Sequence, residues 1–223
     1  MSASVMADKK LLKLKINEIF YSIQGETTFA GLPTLFIRLT GCPLRCGYCD
    51  TAYAFHGGKN MSVDEILEDI SQYKTKFVTV KGGEPLAQKP CWELLKNLCD
   101  NDYNVSLETG GAISIEGIDE RTKIILDIKT PDSGEHLKND KKNLALIKKK
   151  DEIKFVLSSR GDYEWAKKFI KEENLIDKVP IIFSPVYKDL SYENLSEWIL
   201  EDNLAVRFQV QLHKIIWGEK KGV

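Results

Sequence analysis

Three cysteines, Cys42, Cys46 and Cys49, stand within eight residues at spacings of four and three. Thiols so spaced in a turn can converge on one centre, and three soft thiolates suit an iron–sulfur cluster or zinc. A structural zinc site takes a fourth ligand, and a zinc ribbon shows a second C-x-x-C pair. The other two cysteines, Cys91 and Cys99, lie eight apart on a predicted helix and read as small buried hydrophobes. A cubane cluster on three protein thiolates leaves one iron free to bind a small chelating molecule. Further on, Gly82-Gly83-Glu84-Pro85 closes a predicted strand. Its glycines allow close backbone approach, and its proline suits the start of a helix. Taken alone, that run reads equally as an ordinary loop.

The cysteine spacing matches without a gap the C-x-x-x-C-x-x-C signature of the radical S-adenosylmethionine superfamily, and Tyr48 before the third cysteine agrees with it. Within that superfamily the chain resembles the 7-carboxy-7-deazaguanine synthase family. The segments that carry the resemblance are Phe20-Tyr21-Ser22-Ile23-Gln24-Gly25-Glu26, Phe36-Ile37-Arg38-Leu39-Thr40-Gly41-Cys42, Cys49-Asp50-Thr51 and Gln209-Val210-Gln211-Leu212-His213-Lys214. With Gly82-Gly83-Glu84-Pro85, Glu108-Thr109-Gly110-Gly111 and Asp127-Ile128-Lys129-Thr130-Pro131, it spans nearly the whole chain from residue 15 onward. The resemblance implies a lyase of queuosine or deazapurine biosynthesis that converts 6-carboxy-5,6,7,8-tetrahydropterin to 7-carboxy-7-deazaguanine, with ring contraction and loss of ammonia. It implies a 4Fe-4S cluster on Cys42, Cys46 and Cys49, S-adenosyl-L-methionine and Mg2+ as cofactors. It also implies an electron donor such as flavodoxin or ferredoxin, and a homodimer. The radical comes from the cluster-bound cofactor, so no side chain is expected to be catalytic in its own right.

The same resemblance assigns roles residue by residue. Ile23, Gln24, Gly25, Glu26, Arg38, Thr109, His213 and Val223 are implied substrate contacts. Arg38 offers a planar fork to the substrate carboxylate, Ile23 to Gly25 face the amide and amino edges of the pterin, and Glu26 accepts from its ring N–H groups. Tyr48, Cys49, Asp50, Gly83, Glu84, Gly111, Ser158, Ser184 and Pro185 are implied contacts of S-adenosylmethionine, with Glu84 as a carboxylate for its amine. Thr51 is implied as a Mg2+ ligand; a hard oxygen suits that ion, which keeps several waters. Thr27 stands where the family commonly has glycine, and Gly110 where it often has a polar residue. Neither removes a functional group. A glycyl-radical-enzyme activating enzyme shares the cysteine signature but needs a protein-docking surface instead of Gln24, Glu26, Arg38 and Thr51 together. A non-catalytic iron–sulfur or zinc module would not need functional residues at successive strand ends.

Those residues require a scaffold that gathers strand ends. Alternating apolar patterning predicts strands over residues 15–23, 34–39, 77–80, 104–108, 123–128, 152–157, 179–183 and 206–212. A capping box at Ser62 to Glu65 opens a helix ending near Tyr73, and further helices are expected over 86–99, 162–173 and 192–201. Strands alternating with helices imply a parallel sheet with right-handed crossovers. The expected fold is α/β, a partial (β/α) TIM-like barrel of about six parallel core strands. In such a barrel Cys42, Glu84, Thr109 and Asp127 should face one mouth, at the C-terminal ends of the strands. Residues 1–13 read as a flexible leader and 14–223 as one domain, since no repeat or linker interrupts the pattern.

Composition agrees with a globular enzyme: 43% hydrophobic and 29% charged residues in 223, with 32 basic against 33 acidic side chains. Such a balance argues against a nucleic-acid binder held by a broad basic field. No apolar run approaches the ~20 residues of a membrane span. The polar start carries no secretion signal, and clustered cysteines in odd number do not fit a secreted disulfide framework. The expected location is the cytoplasm.

Overall fold

The computed structural model describes residues 13–223. The expected leader falls almost wholly outside them, and Lys13 already belongs to the first strand. Nine strands form one open sheet: β1 (Lys13–Ile23), β2 (Pro33–Leu39), β3 (Lys59–Ser62), β4 (Phe77–Gly82), β5 (Asn104–Thr109), β6 (Lys123–Ile128), β7 (Glu152–Leu157), β8 (Ile181–Pro185) and β9 (Arg207–Phe208). Their order is β3-β1-β2-β4-β5-β6-β7-β8-β9. β1 runs antiparallel to both β2 and β3, and every pairing from β2 to β9 is parallel. The sheet curves into a partial barrel and does not close.

Each core strand has two faces. Val78, Val80, Val105, Leu107, Leu126, Ile128, Ile153, Phe155 and Phe183 join one hydrophobic cluster with the helices. The intervening residues Thr79, Lys81, Ser106, Glu108, Asp127, Lys154 and Ser184 belong to the concave inner wall. A strand whose side chains alternate in direction therefore supplies the core and the site from the same segment. The helices are α1 (Val63–Ile70), α2 (Cys91–Asp100), α3 (Asn143–Leu146), α4 (Arg160–Glu172), α5 (Tyr192–Glu201) and α6 (Leu212–Trp217). The capping box of α1 forms as expected: Glu65 N–H donates to Ser62 Oγ, and Ser62 N–H to the Glu65 carboxylate.

Four local expectations change. The helix expected over 86–99 divides into a single turn, Pro85–Ala87, and α2. Pro90 lacks an N–H and disfavours helical backbone before it, and the Gln88 side chain instead bridges the backbones of Lys15 and Thr40. β8 lies two residues later than expected. β3, α3 and α6 were not anticipated. The strand expected over 206–212 shrinks to the two residues of β9. After Phe208 the chain leaves β8 to pair with the loop after β1, where Leu212 N–H donates to Gly25 O at 3.0 Å.

Candidate active site

A cavity of about 300 Å³ opens where the parallel strands end. Cys42, Cys46 and Cys49 line one side of it, and all three thiols are unpaired and half-buried. The turn that presents them is held mostly by backbone. Gly41 N–H donates to Ala54 O, Gly47 N–H to Ser133 O, and Cys49 N–H to Cys46 O. Arg45 N–H donates to Glu135, while the Arg45 guanidinium donates to the carbonyls of Cys42 and Leu44. Among the described residues, no three His, Cys, Asp or Glu side chains gather tightly enough to hold one metal ion. Three thiols lining one cavity match the three protein ligands of a cluster that leaves one iron open. Burial pushes the thiols of Cys42 and Cys46 up, so their conversion to thiolate depends on the cationic group they bind.

Gly83 fixes the distance between this turn and the sheet. A Cβ there would lie 2.1 Å from Gly41 O and 2.9 Å from Cys42 Cβ. Glu84 follows but does not line the cavity. It is fully buried and accepts from Leu86 N–H at 3.0 Å, Thr109 Oγ1 at 2.8 Å and Gly110 N–H at 2.7 Å. Burial pushes its carboxyl up, against the pull of these donors. The expected carboxylate for a cofactor amine is thus turned inward, tying the end of β4 to the end of β5, because its acceptors satisfy the donors of both. Of the residues expected at one mouth, Cys42, Thr109 and Asp127 line it and Glu84 supports it from behind.

On the opposite side the guanidinium of Arg38, 7% exposed, donates through Nε to Glu18 at 2.6 Å. Tyr53 Oη donates to the same carboxylate oxygen at 2.7 Å. The guanidinium stands over the rings of Phe20 and Tyr53, and its NH1 has no acceptor among the described residues. A buried cationic donor left unpaired marks the place of an anionic acceptor. The inner wall carries the converse. Glu108 Oε1 and Asp127 Oδ1 are buried without donors, while Lys81 pairs with Glu108 at 2.8 Å and Lys129 with Asp127 at 3.0 Å.

Glu26 is buried at the cavity edge, its carboxylate accepting from Lys154 Nζ at 2.6 Å and Gln211 Nε2 at 2.8 Å. Burial alone would raise its pKa, but Lys154, Lys81 and His213 outweigh it, and the carboxyl is held well below the usual range. Gly25 leaves no room for a side chain: a Cβ would lie 2.2 Å from His213 Nδ1. His213 lines the cavity, and burial pulls its imidazole down. Thr27 adopts φ 69°, a region that favours glycine, and Gln209 braces it by accepting from its N–H and donating to its carbonyl.

Tyr48, Cys49, Asp50 and Thr51 line the cavity. Tyr48 donates to Val156 O, its hydroxyl pushed up to about 12 by burial and by Asp127; Thr51 Oγ1 donates to Asp50 at 2.7 Å. Several expected contacts lie outside the lining. Gln24 is buried beneath it, donating to Thr79 Oγ1 at 3.1 Å. Ile23 ends β1 opposite Pro33. Gly111 is buried at φ 71°, its carbonyl accepting from Asn143. The Ser158 hydroxyl is engaged by Asp132 and Asp162. Ser184 and Pro185 are buried at the end of β8, although the next two residues, Val186 and Tyr187, reach the lining. Val223 is half-buried; its neighbour Gly222 lies against Glu18 on the Arg38 side. Lys81, Lys129 and Lys154 were missed as site residues, and Glu108 was read only as part of a motif. For Glu108 and Lys154 the signal was present, as charged residues alternating with apolar ones inside predicted strands; Lys81 and Lys129 fall just past the predicted ends of theirs.

Residues 36–172 match the model of the Radical SAM superfamily. The chain is 45% identical over 214 residues to the 7-carboxy-7-deazaguanine synthase of Chlorobaculum tepidum, covering 94% of this chain and 97% of that one. It is 39% identical to the enzyme of the same name from Koribacter versatilis, covering 94% and 100%. The crystal structure of QueE from Escherichia coli superposes with a TM-score of 0.79 at 22% identity, covering 96% of this chain and all of that one. That last likeness concerns the fold.

Proposed function

The chain belongs to the 7-carboxy-7-deazaguanine synthase family of the radical S-adenosylmethionine superfamily, and from that membership we propose that it converts 6-carboxy-5,6,7,8-tetrahydropterin to 7-carboxy-7-deazaguanine with loss of ammonia. The observation that carries this reading is the pattern of unsatisfied groups around one cavity. Among the described residues, Arg38 NH1 lacks an acceptor, Glu108 Oε1 and Asp127 Oδ1 lack donors, and three unpaired thiols share the same space. A flat heterocycle with a carboxylate at one end and N–H groups along its edge complements the first two sets. When bound, the reduced cluster on Cys42, Cys46 and Cys49 and its S-adenosylmethionine supply a carbon-centred radical.

The protein's own residues then bind, orient and exclude water. Arg38 takes the substrate carboxylate, held in place by Glu18 and Tyr53. Glu26 accepts from the heterocycle, and His213 packs on Gly25 to close that edge. Thr109 is assigned to the substrate as a lining residue at the end of β5. Thr51 is assigned to Mg2+, which a hydroxyl beside the Asp50 carboxylate supports. Tyr48, Cys49, Asp50 and Gly83 are assigned to the S-adenosylmethionine side, with Glu84 keeping that wall in place from behind. For Gly111, Ser158, Ser184 and Pro185 the support is positional, since each lies at or next to a strand end bordering the cavity, and for Gln24 it is its place beneath the lining on Thr79. Val223 is assigned to the substrate through the approach of Gly222 to Glu18.

The reductant is assigned as a flavodoxin or ferredoxin, and the protein as a homodimer; exposed Ile215 and Ile216 on α6 support a packing surface. All five cysteines are unpaired, which supports a reducing, cytoplasmic setting, and no described helix is long and apolar enough to cross a membrane. Anaerobic protein given the tetrahydropterin, S-adenosylmethionine, Mg2+ and dithionite is expected to release 7-carboxy-7-deazaguanine and ammonia. Formation of 5'-deoxyadenosine without any deazaguanine would overturn the assignment and turn attention to a protein substrate.

The Arg38 role has a sharper test. Arg38→Lys keeps the charge but not the fork, so the Kd for the tetrahydropterin is expected to rise roughly 10- to 100-fold. Substrate-independent cleavage of S-adenosylmethionine should stay within about twofold. An unchanged pterin Kd would show that the carboxylate binds elsewhere.

A further inference from the structure

Every carboxylate on the inner wall is matched by a lysine, but Lys154 is placed differently from the others. It projects from the middle of β7, is 6% exposed, and reaches two carboxylates from different parts of the chain. Its Nζ lies 2.6 Å from Glu26 Oε2 and 3.8 Å from Asp127 Oδ2. Asp127 is its direct register partner across β6 and β7. Lys129 supports Asp127 from the cluster side, so Glu26, Lys154, Asp127 and Lys129 alternate in sign from the loop after β1 to the wall beside the cysteines. Of the two carboxylates in this row, Asp127 belongs to β6 and Glu26 sits in a loop. A loop carboxylate is free to rotate and, when buried, prefers the neutral acid. Both tendencies oppose its use as a fixed acceptor.

We infer that Lys154 is a positioning residue that holds the Glu26 carboxylate charged and aimed at the N–H edge of the substrate. The inference rests on the assignment of Glu26 to that edge. Gln211 supplies the second restraint on the other oxygen, so the carboxylate is gripped from β7 and from the C-terminal segment at once. Each oxygen keeps a lone pair for a ligand N–H, because a carboxylate accepts about four hydrogen bonds in all. Lysine suits this task because its ammonium distributes three donors and can serve two carboxylates. No backbone group could follow Glu26 in this way.

The electrostatic surroundings support the same assignment. Lys81 from β4 and His213 from the C-terminal segment also favour the charged form of Glu26, with Lys154 the larger influence. Glu108 from β5 and Asp50 from the cysteine turn face the group with like charge, and Asp127 from β6 competes for the same ammonium. Without Lys154, two lysine-type influences become one while burial and the acidic neighbours remain. Glu26 should then take up a proton in the neutral range.

The test is substrate binding to the cluster-loaded, unreduced protein, titrated anaerobically with 6-carboxy-5,6,7,8-tetrahydropterin at about pH 6 and about pH 9. Wild type should bind nearly equally at both. Lys154→Met should bind roughly tenfold or more weakly at the lower pH and recover most of that loss at the higher pH, where Glu26 ionises unaided. Lys154→Arg should stay within about threefold of wild type at both. Glu26→Gln should bind weakly at both, and the double variant Lys154→Met/Glu26→Gln should be no weaker and equally insensitive to pH. Binding of S-adenosylmethionine to each variant should be unchanged, which reports that the fold and the cluster wall are intact. If Glu26→Gln weakens binding while Lys154→Met does not, the positioning role is wrong and the Glu26 assignment stands. If Glu26→Gln binds as wild type does, the Glu26 assignment and the inference fall together. A pH-independent loss in Lys154→Met reduces Lys154 to a packing role and overturns the inference.

Discussion

Alanine at any one of Cys42, Cys46 or Cys49 is expected to lower reductive cleavage of S-adenosylmethionine by at least about a thousandfold, a loss of ~4 kcal/mol of transition-state stabilisation or more. The physical reason is the ligand count. Three thiols serve the cavity, and all other sulfur ligands are remote: Cys91 and Cys99 are buried in the hydrophobic core behind the sheet. No spare thiol can replace a lost one. The loss should coincide with a fall in iron content and in the visible absorbance of the anaerobic protein. Folding should survive, because the three thiols are half-buried at the cavity and not part of the core. Cys91→Ala is the matched control. It removes a core sulfur, should lower stability by ~1 kcal/mol, and should leave iron content unchanged. Cleavage above about a tenth of wild type in any of the three cavity variants would contradict the ligand assignment.

Gly83→Ala is expected to damage the cluster site nearly as severely although it adds only a methyl group. The added Cβ would sit 2.1 Å from Gly41 O and 2.5 Å from Gly41 C, both backbone atoms that no rotamer change can move aside. Relief requires the end of β4 to separate from the start of the cysteine turn. That movement strains the hydrogen bond from Glu84 N–H to Gly41 O at 2.7 Å and displaces Cys42. Overpacking of this kind costs ~1–3 kcal/mol of stability, visible as a lowered Tm, with most of the iron lost. Gly47 provides the contrast. It lies between two of the cysteines, yet a Cβ there would meet only Asp132 O at 3.7 Å. Gly47→Ala should therefore keep its cluster and its Tm. Equal iron loading in the two variants would show that the close approach of Gly83 to Gly41 does not set the geometry.

The two glycines illustrate what a linear reading can and cannot weigh. Both glycines stand in or beside a motif, and the sequence allows close backbone approach at Gly83 without saying to what. Only the spatial neighbours show that Gly83 meets Gly41 while Gly47 has room. Glu84 is a similar case. Its place after two glycines suggested a free carboxylate for a cofactor amine, but Leu86 after β4 and Thr109 and Gly110 at the end of β5 present three donors to it, and burial makes satisfying them the stronger demand. In the opposite direction, Gln209 and Gln211 were legible only as parts of a family-like segment in an expected strand. Their side chains brace the loop that holds Glu26 and Thr27, and the strand yields to that contact. Lys81, Glu108 and Lys154 followed the alternation of their strands, but alternation assigns a residue to a face without telling whether that face is water or the inside of a barrel.

What the sequence determined by itself was everything set by short separations along the chain. The cysteine spacing, the capping box of α1, the run of alternating strands and the order of strand and helix all depend on contacts within a few residues, so they specified the open parallel barrel and the three cysteines proposed to hold the cluster. What only the tertiary structure decided was which polar groups satisfy one another across separations such as Glu26 to Lys154, Arg38 to Glu18, and Glu84 to Thr109. A buried hydrogen-bonding group must find a partner wherever the fold places one. Among the described residues, the unpartnered charged groups that line the cavity, Arg38 NH1, Glu108 Oε1 and Asp127 Oδ1, become visible only once the long-range pairs around them are known.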